Sequence, residues 1–479
     1  MAIQKQTKIV CTLGPVSGTE KVIVELVKSG LNIARLNFSH GTHIEHKTMI
    51  KTIRKVEKKT GEPIGIMADL QGPKIRVGRL PDKGIKLAAG EKIKFDSSVA
   101  VYRNKIVPID YDLGKYVKTG EKILLDDGQM EVKVTVVRGN LLEGEVVVGG
   151  VLTSHKGINA PTSDLPGASL GEKDRADLAL AVEQGVDLVA LSFVAGAKDI
   201  LDLRFLIKKF EKEMKLAPEK PIMIVAKIER AAAVKNSKEI IEVADALMVA
   251  RGDLGIEIPA QKVPLTQKSL ISLALAQKKP VIVATQMLES MRYNPRPTRA
   301  EVSDIANAVI DHADAVMLSA ETASGKYPVE SVKLMAEIIQ ETEKSVYDDL
   351  PVEKAKSKKN KLDDIISGLS RELAELVGAK LILAASISGD TARLISHYRP
   401  ELPIIIGTYT DRVRHQMNLS WGVIPFILER CNSIEELIGR SISYLKKKKL
   451  VAVGDKIIVV AGEPIGEPGN INLLEVREV

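Results

Sequence analysis

Apolar residues in this chain fall into short unbroken runs, and these alternate with longer stretches in which apolar residues recur at helical spacing. The runs occupy residues 8–13, 32–38, 64–70, 188–193, 222–228, 246–249, 281–285 and 315–318. Continuous apolar runs of this length are the mark of parallel strands buried on both faces. Stretches such as 20–29, 173–184 and 299–312 follow them with one apolar face, as amphipathic helices do. Eight such βα units, read from the eight runs, predict an α/β fold of the (β/α)8 TIM-barrel type rather than an open doubly wound sheet.

One interval breaks the rhythm. More than a hundred residues separate the third run from the fourth, with Gly, Pro and alternating β-type stretches at 92–95, 122–125, 131–137 and 142–148. An insertion after the third barrel strand falls on the C-terminal face, where barrel active sites sit. A small β-barrel acting as a lid is therefore expected there. After the last barrel helix a Lys-rich polar stretch, 353–364, reads as a solvated linker. Alternation resumes at 381–386, 404–408, 423–428 and 456–461, predicting a C-terminal α/β domain with its own sheet. The lysine run 446–449 is expected to end a helix, where cations suit the macrodipole. The expected division is a barrel over 1–70 and 171–345, a lid over 71–170 and an α/β effector domain over 346–479.

Composition narrows the function classes. With 479 residues, 45% of them hydrophobic and 27% charged, the chain can bury several cores without disulfide staples. The excess of 69 Lys and Arg over 62 Asp and Glu suits anionic substrates but is spread thinly. Aromatic residues make up only 3%, too few for a stacking surface, so no nucleic-acid partner is expected. Cys11 and Cys431 have neither metal nor redox spacing and read as reduced thiols. No apolar run approaches the ~20 residues of a membrane span. Residues 1–8 lead into a run too short for a signal peptide, so a cytoplasmic protein without a membrane partner is expected.

The chemistry of such a barrel sits at strand C-terminal ends. The fifth run ends in Ala226-Lys227-Ile228-Glu229 and the sixth in Arg251-Gly252-Asp253-Leu254-Gly255. The seventh ends in Ala284-Thr285-Gln286-Met287-Leu288-Glu289 and the eighth in Ser319-Ala320-Glu321-Thr322. Alternation along a strand puts Lys227 and Glu229 on one face. Glu229 and Asp253, from adjacent strands, then converge into a hard oxygen site suited to Mg²⁺, with Lys227 as a fixed cation beside it. The second run ends in Arg35, Asn37 and Ser39 on one face, followed by His40; the third ends in Asp69, then Gln71-Gly72-Pro73-Lys74-Ile75-Arg76. Arg35 and Arg76 are candidate bidentate phosphate ligands. A lone Lys–Glu pair two residues apart is usually a surface pair, and a lone Arg-Gly-Asp is usually a turn. Clusters at successive strand ends point instead to phosphoryl transfer or metal-assisted enolate chemistry. Gly325-Lys326-Tyr327 lacks the upstream Gly and following Ser or Thr of a P-loop, so a nucleotide must be held by other means.

Six segments, in order and spacing, resemble the signatures of the pyruvate kinase family. They are Thr7-Lys8-Ile9-Val10-Cys11-Thr12-Leu13-Gly14-Pro15, Arg35-Leu36-Asn37-Phe38-Ser39-His40-Gly41 and Ser154-His155-Lys156-Gly157, then Lys227-Ile228-Glu229, Arg251-Gly252-Asp253-Leu254-Gly255 and Ala284-Thr285-Gln286-Met287-Leu288-Glu289-Ser290-Met291. The likeness covers nearly the whole chain and is weakest within the insertion and at the C-terminus. It implies Mg²⁺-dependent (or Mn²⁺-dependent) transfer of a phosphoryl group from phosphoenolpyruvate to ADP, giving pyruvate and ATP, on a barrel, lid and effector domain assembled as a homotetramer. By resemblance Arg35 and Lys227 contact the transferring group, and Glu229 and Asp253 hold the metal. Backbone N–H groups around Gly252 receive the substrate carboxylate. Thr285 lies near the methylene carbon that gains a proton, and Ser319 and Glu321 orient waters on that path. Asn37, His40, Arg76 and, from the lid, Lys156 are implied on the nucleotide side. Asp126-Asp127-Gly128 is read as a turn, with a metal–nucleotide contact as the alternative.

Two departures from the family pattern carry expectations of their own. Many members hold K⁺ with residues matching Asn37, Ser39, Asp69 and the carbonyl of residue 70, here Leu70, and carry Glu where this chain has Lys74. A fixed ammonium supplies the charge that K⁺ would bring, so no K⁺ requirement is expected. The segment Ser386-Ile387-Ser388-Gly389-Asp390-Thr391-Ala392-Arg393 resembles the loop that cradles an effector phosphate, with Ser386, Ser388 and Thr391 as its hydroxyls. An ordinary strand–helix turn capped by Asp390 is the alternative. Asp390 stands where bisphosphate-activated members often have a neutral residue, and the turn 462–469 contains two acids and no Arg. A monophosphate, such as AMP or a sugar monophosphate, is the expected activator. Two rivals stand beside this reading. A Mg²⁺-dependent pyruvate aldolase or mutase on a related barrel leaves the lid and third domain without a role. Against a catalytically inactive scaffold stand Lys227, Glu229, Asp253 and Thr285.

Overall fold

Residues 5–479 are described by the computed structural model, except 164, 166–169, 219, 351–360, 387 and 463–470. Eight parallel strands close a barrel: Lys8–Thr12, Ile33–Asn37, Gly65–Leu70, Leu188–Leu191, Met223–Ile228, Ala246–Ala250, Val281–Ala284 and Ala315–Leu318. Each pairs with its neighbours in chain order, and the first closes on the eighth with Lys8 opposite Ala315. All the runs read as barrel strands are present. Side-chain parity divides every strand in two. Val10, Ile33, Met67, Leu188, Val225, Met248, Ile282 and Met317 fill the barrel interior. Their chain neighbours, among them Ile9, Cys11, Ala34, Ile66, Ile224, Val249 and Val283, pack outward under the helices. The helices start and stop on local signals. Thr19 caps the helix Glu20–Ser29, and Gly30, at φ +118°, ends it. Thr298 and Glu301 form a capping box on the helix Arg299–Ile310.

The insertion between the third and fourth barrel strands has its own core around Val77, Phe95, Ile123, Val132 and Leu142. Its strands form a six-stranded sheet and a separate pair, Ile85–Leu87 with Gly150–Leu152. Residues 75–78 join the two edges of the six-stranded sheet: the Val77 N–H donates to the Lys156 carbonyl at 2.9 Å on one side, and the Gly78 N–H donates to the Pro108 carbonyl at 2.7 Å on the other. The expected small β-barrel is thus present, closed by isolated bridges rather than by a regular strand. Irregularities between Glu131 and Val132, and between Val134 and Val136, interrupt its longest hairpin, and bulges of this kind supply the bend and twist that closing a small sheet requires. The C-terminal domain is a five-stranded sheet in the spatial order Val423–Ile427, Ile404–Thr408, Ile382–Ala385, Lys456–Ala461 and Leu473–Glu478. The sequence pattern predicts the first four. The fifth runs antiparallel at the sheet edge, and its half-exposed residues make no apolar run. Lys446 and Lys447 do end a helix, Ile434–Lys447. Most of the linker read at 353–364 lies outside the described residues, as does the turn 462–469 beyond its first residue. No helix among the described residues is long and apolar enough to cross a membrane.

The C-terminal domain docks on the end of the barrel opposite the lid. Leu419 joins the apolar cluster of the barrel interior, and Lys8 Nζ donates to the Val423 carbonyl at 2.7 Å. A buried ion cluster lies alongside. His415 Nδ1 is 3.0 Å from Asp187 Oδ1, and its Nε2 is 2.6 Å from Glu57 Oε1. Arg54 joins the same two carboxylates at 2.6 and 3.0 Å, and Arg414 stands 3.1 Å from Glu57. Burial disfavours the His415 cation, but Asp187 and Glu57 more than offset this, so its pKa stands above the ordinary 6.5. Burial also raises both carboxylates, and their cationic partners bring them below ordinary values.

The sign of the linkage follows. His415 contributes stability that is complete below its unfolded pKa and is lost as pH rises through the raised folded one; Glu57 and Asp187 lose theirs only on acidification through their depressed values. The expected result is a melting temperature that falls from mildly acidic to alkaline pH, with a smaller fall in His415→Gln. Equal slopes for the two proteins over about pH 6–9 would contradict the assignment.

Candidate active site

At the open mouth of the barrel, the inward parity that begins with apolar residues continues into charged ones. Ile33 is followed at two-residue steps by Arg35 and Asn37, Met67 by Asp69, and Ala190 by Ser192; Val225 is followed by Lys227 and Glu229. These side chains meet. Lys227 Nζ lies 2.8 Å from Glu229 Oε1, 3.2 Å from Asp69 Oδ1 and 2.7 Å from Ser192 Oγ. Arg35 donates from Nε to Asp69 Oδ2 and from Nη1 to Thr12 Oγ1, both at 2.7 Å. Arg35 and Lys227 are 8% exposed, Asp69 and Glu229 only 1%. Asp69 therefore orients both cations, one with each oxygen. Ser192 and Thr12 escape the sequence reading. Their parity with Ala190 and Val10 was the available signal, but a hydroxyl closing an apolar run is too ordinary to single out.

The electrostatics follow from burial and pairing. Burial works against the Lys227 ammonium, yet Asp69 and Glu229 together lift its pKa above the ordinary lysine value. Burial raises Asp69 as well, and Lys227 and Arg35 bring it below the usual carboxylate range. Glu229 stands above that range because burial and the neighbouring Asp253 charge outweigh Lys227. Two carboxylates that repel one another beside a polar cleft are a donor set for a hard divalent cation. Mg²⁺ is suited to such a pair, because it keeps waters and substrate oxygens as its other ligands. Among the described residues no group of three or more His, Cys, Asp or Glu gathers to hold a metal, which leaves the pair.

Across the mouth, Thr285 and Gln286 both adopt left-handed backbone, at φ +71° and +54°. A β-branched residue there is strained and must be held by its surroundings. Thr285 Oγ1 accepts the Gly252 N–H at 2.8 Å and donates to the Ala284 carbonyl at 2.6 Å. The Gly252 N–H is thus committed to Thr285, and an incoming carboxylate at this turn must compete for it or use later N–H groups of the helix Arg251–Glu257. Glu321 is buried, and its two oxygens accept the Leu288 N–H at 3.1 Å and the Ser319 N–H at 2.7 Å, so it braces the seventh and eighth strand ends. Burial pushes its carboxyl up. Ser319 Oγ is buried without a hydrogen-bond partner.

Comparison with known proteins decides the family. The model for the pyruvate kinase barrel domain matches residues 4–332, and that for the pyruvate kinase alpha/beta domain matches residues 364–477. The chain belongs to the pyruvate kinase family. It is 41% identical over 485 residues to a pyruvate kinase of Geobacillus stearothermophilus, covering 100% of this chain and 81% of that one. It is 40% identical over 478 residues to that of Clostridium acetobutylicum, covering 99% and 100%. A crystal structure of a pyruvate kinase from Cryptosporidium parvum superposes with a TM-score of 0.91 at 34% identity, over 99% of this chain and 96% of that one. As a pyruvate kinase the chain is a phosphotransferase, moving a phosphoryl group from phosphoenolpyruvate to ADP to give pyruvate and ATP in glycolysis. The family generally needs a divalent metal. The aldolase or mutase and the inactive scaffold are thereby set aside.

The other residues singled out in the sequence lie around that core. Asn37 Oδ1 accepts the Ser39 N–H at 3.1 Å, and the Leu70 carbonyl accepts the Ser192 hydroxyl at 2.7 Å. Lys74, at the start of the lid segment, joins the lid turn to the sixth strand end, 3.1 Å from Asp127 and 3.8 Å from Asp253. Asp126, Asp127 and Gly128, all at positive φ, make the hairpin turn after Lys122–Leu125, and Asp126 pairs with Lys156 at 2.8 Å. Arg76 donates to the His155 carbonyl at 3.0 Å, and His40 is exposed. Among the nucleotide-side residues expected, Arg76 and Lys156 thus share the lid's inner rim, while Asn37 and His40 lie on the barrel. In the C-terminal domain Gly389, rather than Asp390, is the N-cap of the helix Asp390–His397. Asp390 takes a hydrogen bond from Ser388 Oγ at 2.8 Å and pairs with Arg393 at 3.0 Å and with Lys220 of the barrel at 3.4 Å. Thr391 is buried, Ser386 is half-buried and Ile387 lies outside the described residues.

Proposed function

We propose that Arg35 and Lys227 bind the transferring phosphoryl group, a reading carried by the Lys227 ammonium held among Asp69, Glu229 and Ser192. A fixed charge at that point offsets the charge spread over equatorial oxygens in a loose phosphoryl transition state. Glu229 and Asp253 would hold Mg²⁺ or Mn²⁺, which when bound would supply positive charge to offset the negative charge of the reacting oxygens. The turn at Gly252 receives the substrate carboxylate. Thr285 stands at the methylene carbon, and the unpartnered Ser319 hydroxyl can hold a water on the proton path, with Glu321 bracing both strand ends. Asn37, His40, Arg76 and Lys156 face the nucleotide, and closure of the lid excludes water from the donor. The catalytic barrel spans 1–70 and 171–345, the lid 71–170 and the effector domain 346–479, in a cytoplasmic homotetramer. A coupled assay of ATP formation with Mg²⁺, with Mn²⁺ and with chelator tests the metal; full activity in chelator would refute it.

Regulation follows from Asp390. Burial disfavours its charge, but Arg393 and Lys220 hold its pKa below the usual range, so it stays ionised. It consumes the two cations that a phosphate would otherwise use. Ser386 and Thr391 can serve one phosphate, joined by Ser388 once its hydroxyl is released from Asp390, and the acid-bearing segment 462–469 contains no Arg for a second. The expected activator is a monophosphate such as AMP or a sugar monophosphate. Titration at subsaturating phosphoenolpyruvate checks it. A large fall in half-saturation with micromolar fructose-1,6-bisphosphate would sink the reading.

A further inference from the structure

Phosphoryl transfer makes no call on Arg251, yet its side chain is 10% exposed and engaged on every edge. Nη1 stands 2.7 Å from Asp304 and 3.4 Å from Gln267 Oε1. Nη2 donates to the Thr285 carbonyl at 2.7 Å and reaches the Gln286 carbonyl at 3.5 Å, and Nε meets the Ala284 carbonyl at 3.4 Å. The three carbonyls are consecutive and belong to the turn in which Thr285 and Gln286 sit at positive φ. A backbone in that conformation leaves its strand ladder and presents carbonyls that need new donors. A planar guanidinium with five N–H groups can collect several at once, which a lysine point charge cannot. Asp304, on the helix Arg299–Ile310, neutralises the guanidinium and aims it. From the next residue, the Gly252 N–H grips Thr285 Oγ1. Two successive residues at the end of the sixth strand therefore hold Thr285, one by its backbone and one by its hydroxyl.

We infer that Arg251, with Asp304 as its counter-ion, is a positioning residue that fixes the Thr285 hydroxyl for protonation of the enolate. This rests on the role given to Thr285 above. In that step the carbon–carbon π pair takes a proton at the methylene carbon, the enolate oxygen becomes a carbonyl, and the proton is replaced from water. Nothing is oxidised or reduced. Arg251 touches none of the groups that bind the phosphoryl, so its loss should separate the two halves of the reaction.

The test is hydrogen exchange at the methyl group of pyruvate, measured beside the steady-state kinetics of ATP formation. Arg251→Gln is expected to slow exchange about tenfold or more while the KM for phosphoenolpyruvate stays within about threefold. Asp304→Asn, which leaves Arg251 in place, is expected to slow exchange about threefold, and it carries the test if Arg251→Gln fails to fold. The deciding measurement repeats both changes in a Thr285→Ala background. Residues that act through one another are not additive, so neither change should slow exchange further there. An equal cost in both backgrounds overturns the role of Arg251 and leaves that of Thr285 standing. Unchanged exchange in Thr285→Ala alone overturns both.

Discussion

Lys227→Met is expected to lower the rate of ATP formation from phosphoenolpyruvate and ADP by a factor of ~10²–10³ or more, the usual loss when one preorganised charge is removed from a transition state. Proton exchange at pyruvate's methyl group needs no phosphoryl stabilisation and should survive better; equal loss of both would contradict the assigned role. The same change also bears on the stability of the fold. Lys227 is the ion-pair partner of Glu229 and shares Asp69 with Arg35, all nearly out of water. Removing one member of a buried pair leaves an uncompensated charge and costs about 3–5 kcal/mol. The variant should therefore melt lower, and a second change, Glu229→Gln, should recover melting without recovering the rate. Calorimetry beside the coupled assay separates the two effects.

The second large effect concerns Lys74. In buffer free of Na⁺ and K⁺, with tetramethylammonium as counter-ion, the protein is expected to keep its activity, and a drop of tenfold or more on omitting K⁺ would end the idea. Lys74→Glu should create a K⁺ requirement of about that size. The structure supplies the physical reason. Lys74 stands between Asp127 of the lid turn and Asp253 at the end of the sixth strand. A glutamate there would put three carboxylates within a few ångströms, and like charges so close need a cation between them. Activity of Lys74→Glu measured across a K⁺ titration reads this directly.

What was legible in the chain was what parity and continuity can express. Eight buried parallel strands announce themselves because both faces are apolar, and Lys227 and Glu229 announce themselves because charge at two-residue spacing interrupts such a run. Asp69 was visible as a strand end, but its part in holding Arg35 and Lys227 depends on barrel closure, which places strands two, three and five around one axis. The partners of Lys74 were hidden for a different reason. The hairpin that carries Asp127 returns to the barrel only after much of the lid has been traversed, and no local spacing encodes that return. The edge strand Leu473–Glu478 was missed because an exposed edge carries polar residues at the positions where apolar ones would have marked it.

Leu419 deserves a last consequence. It belongs to the third domain, yet it packs with Val10, Met67 and Met248 as if it were one more rung of the barrel. The catalytic cylinder is thus not a finished vessel with a separate device fastened beneath it; its floor is laid by the device itself. Any tilt of the third domain must lift or press that floor, whose walls are the same strands that carry Asp69 and Lys227 at their far ends. The two ends of the barrel are joined by the shortest lever available to it, the length of a strand.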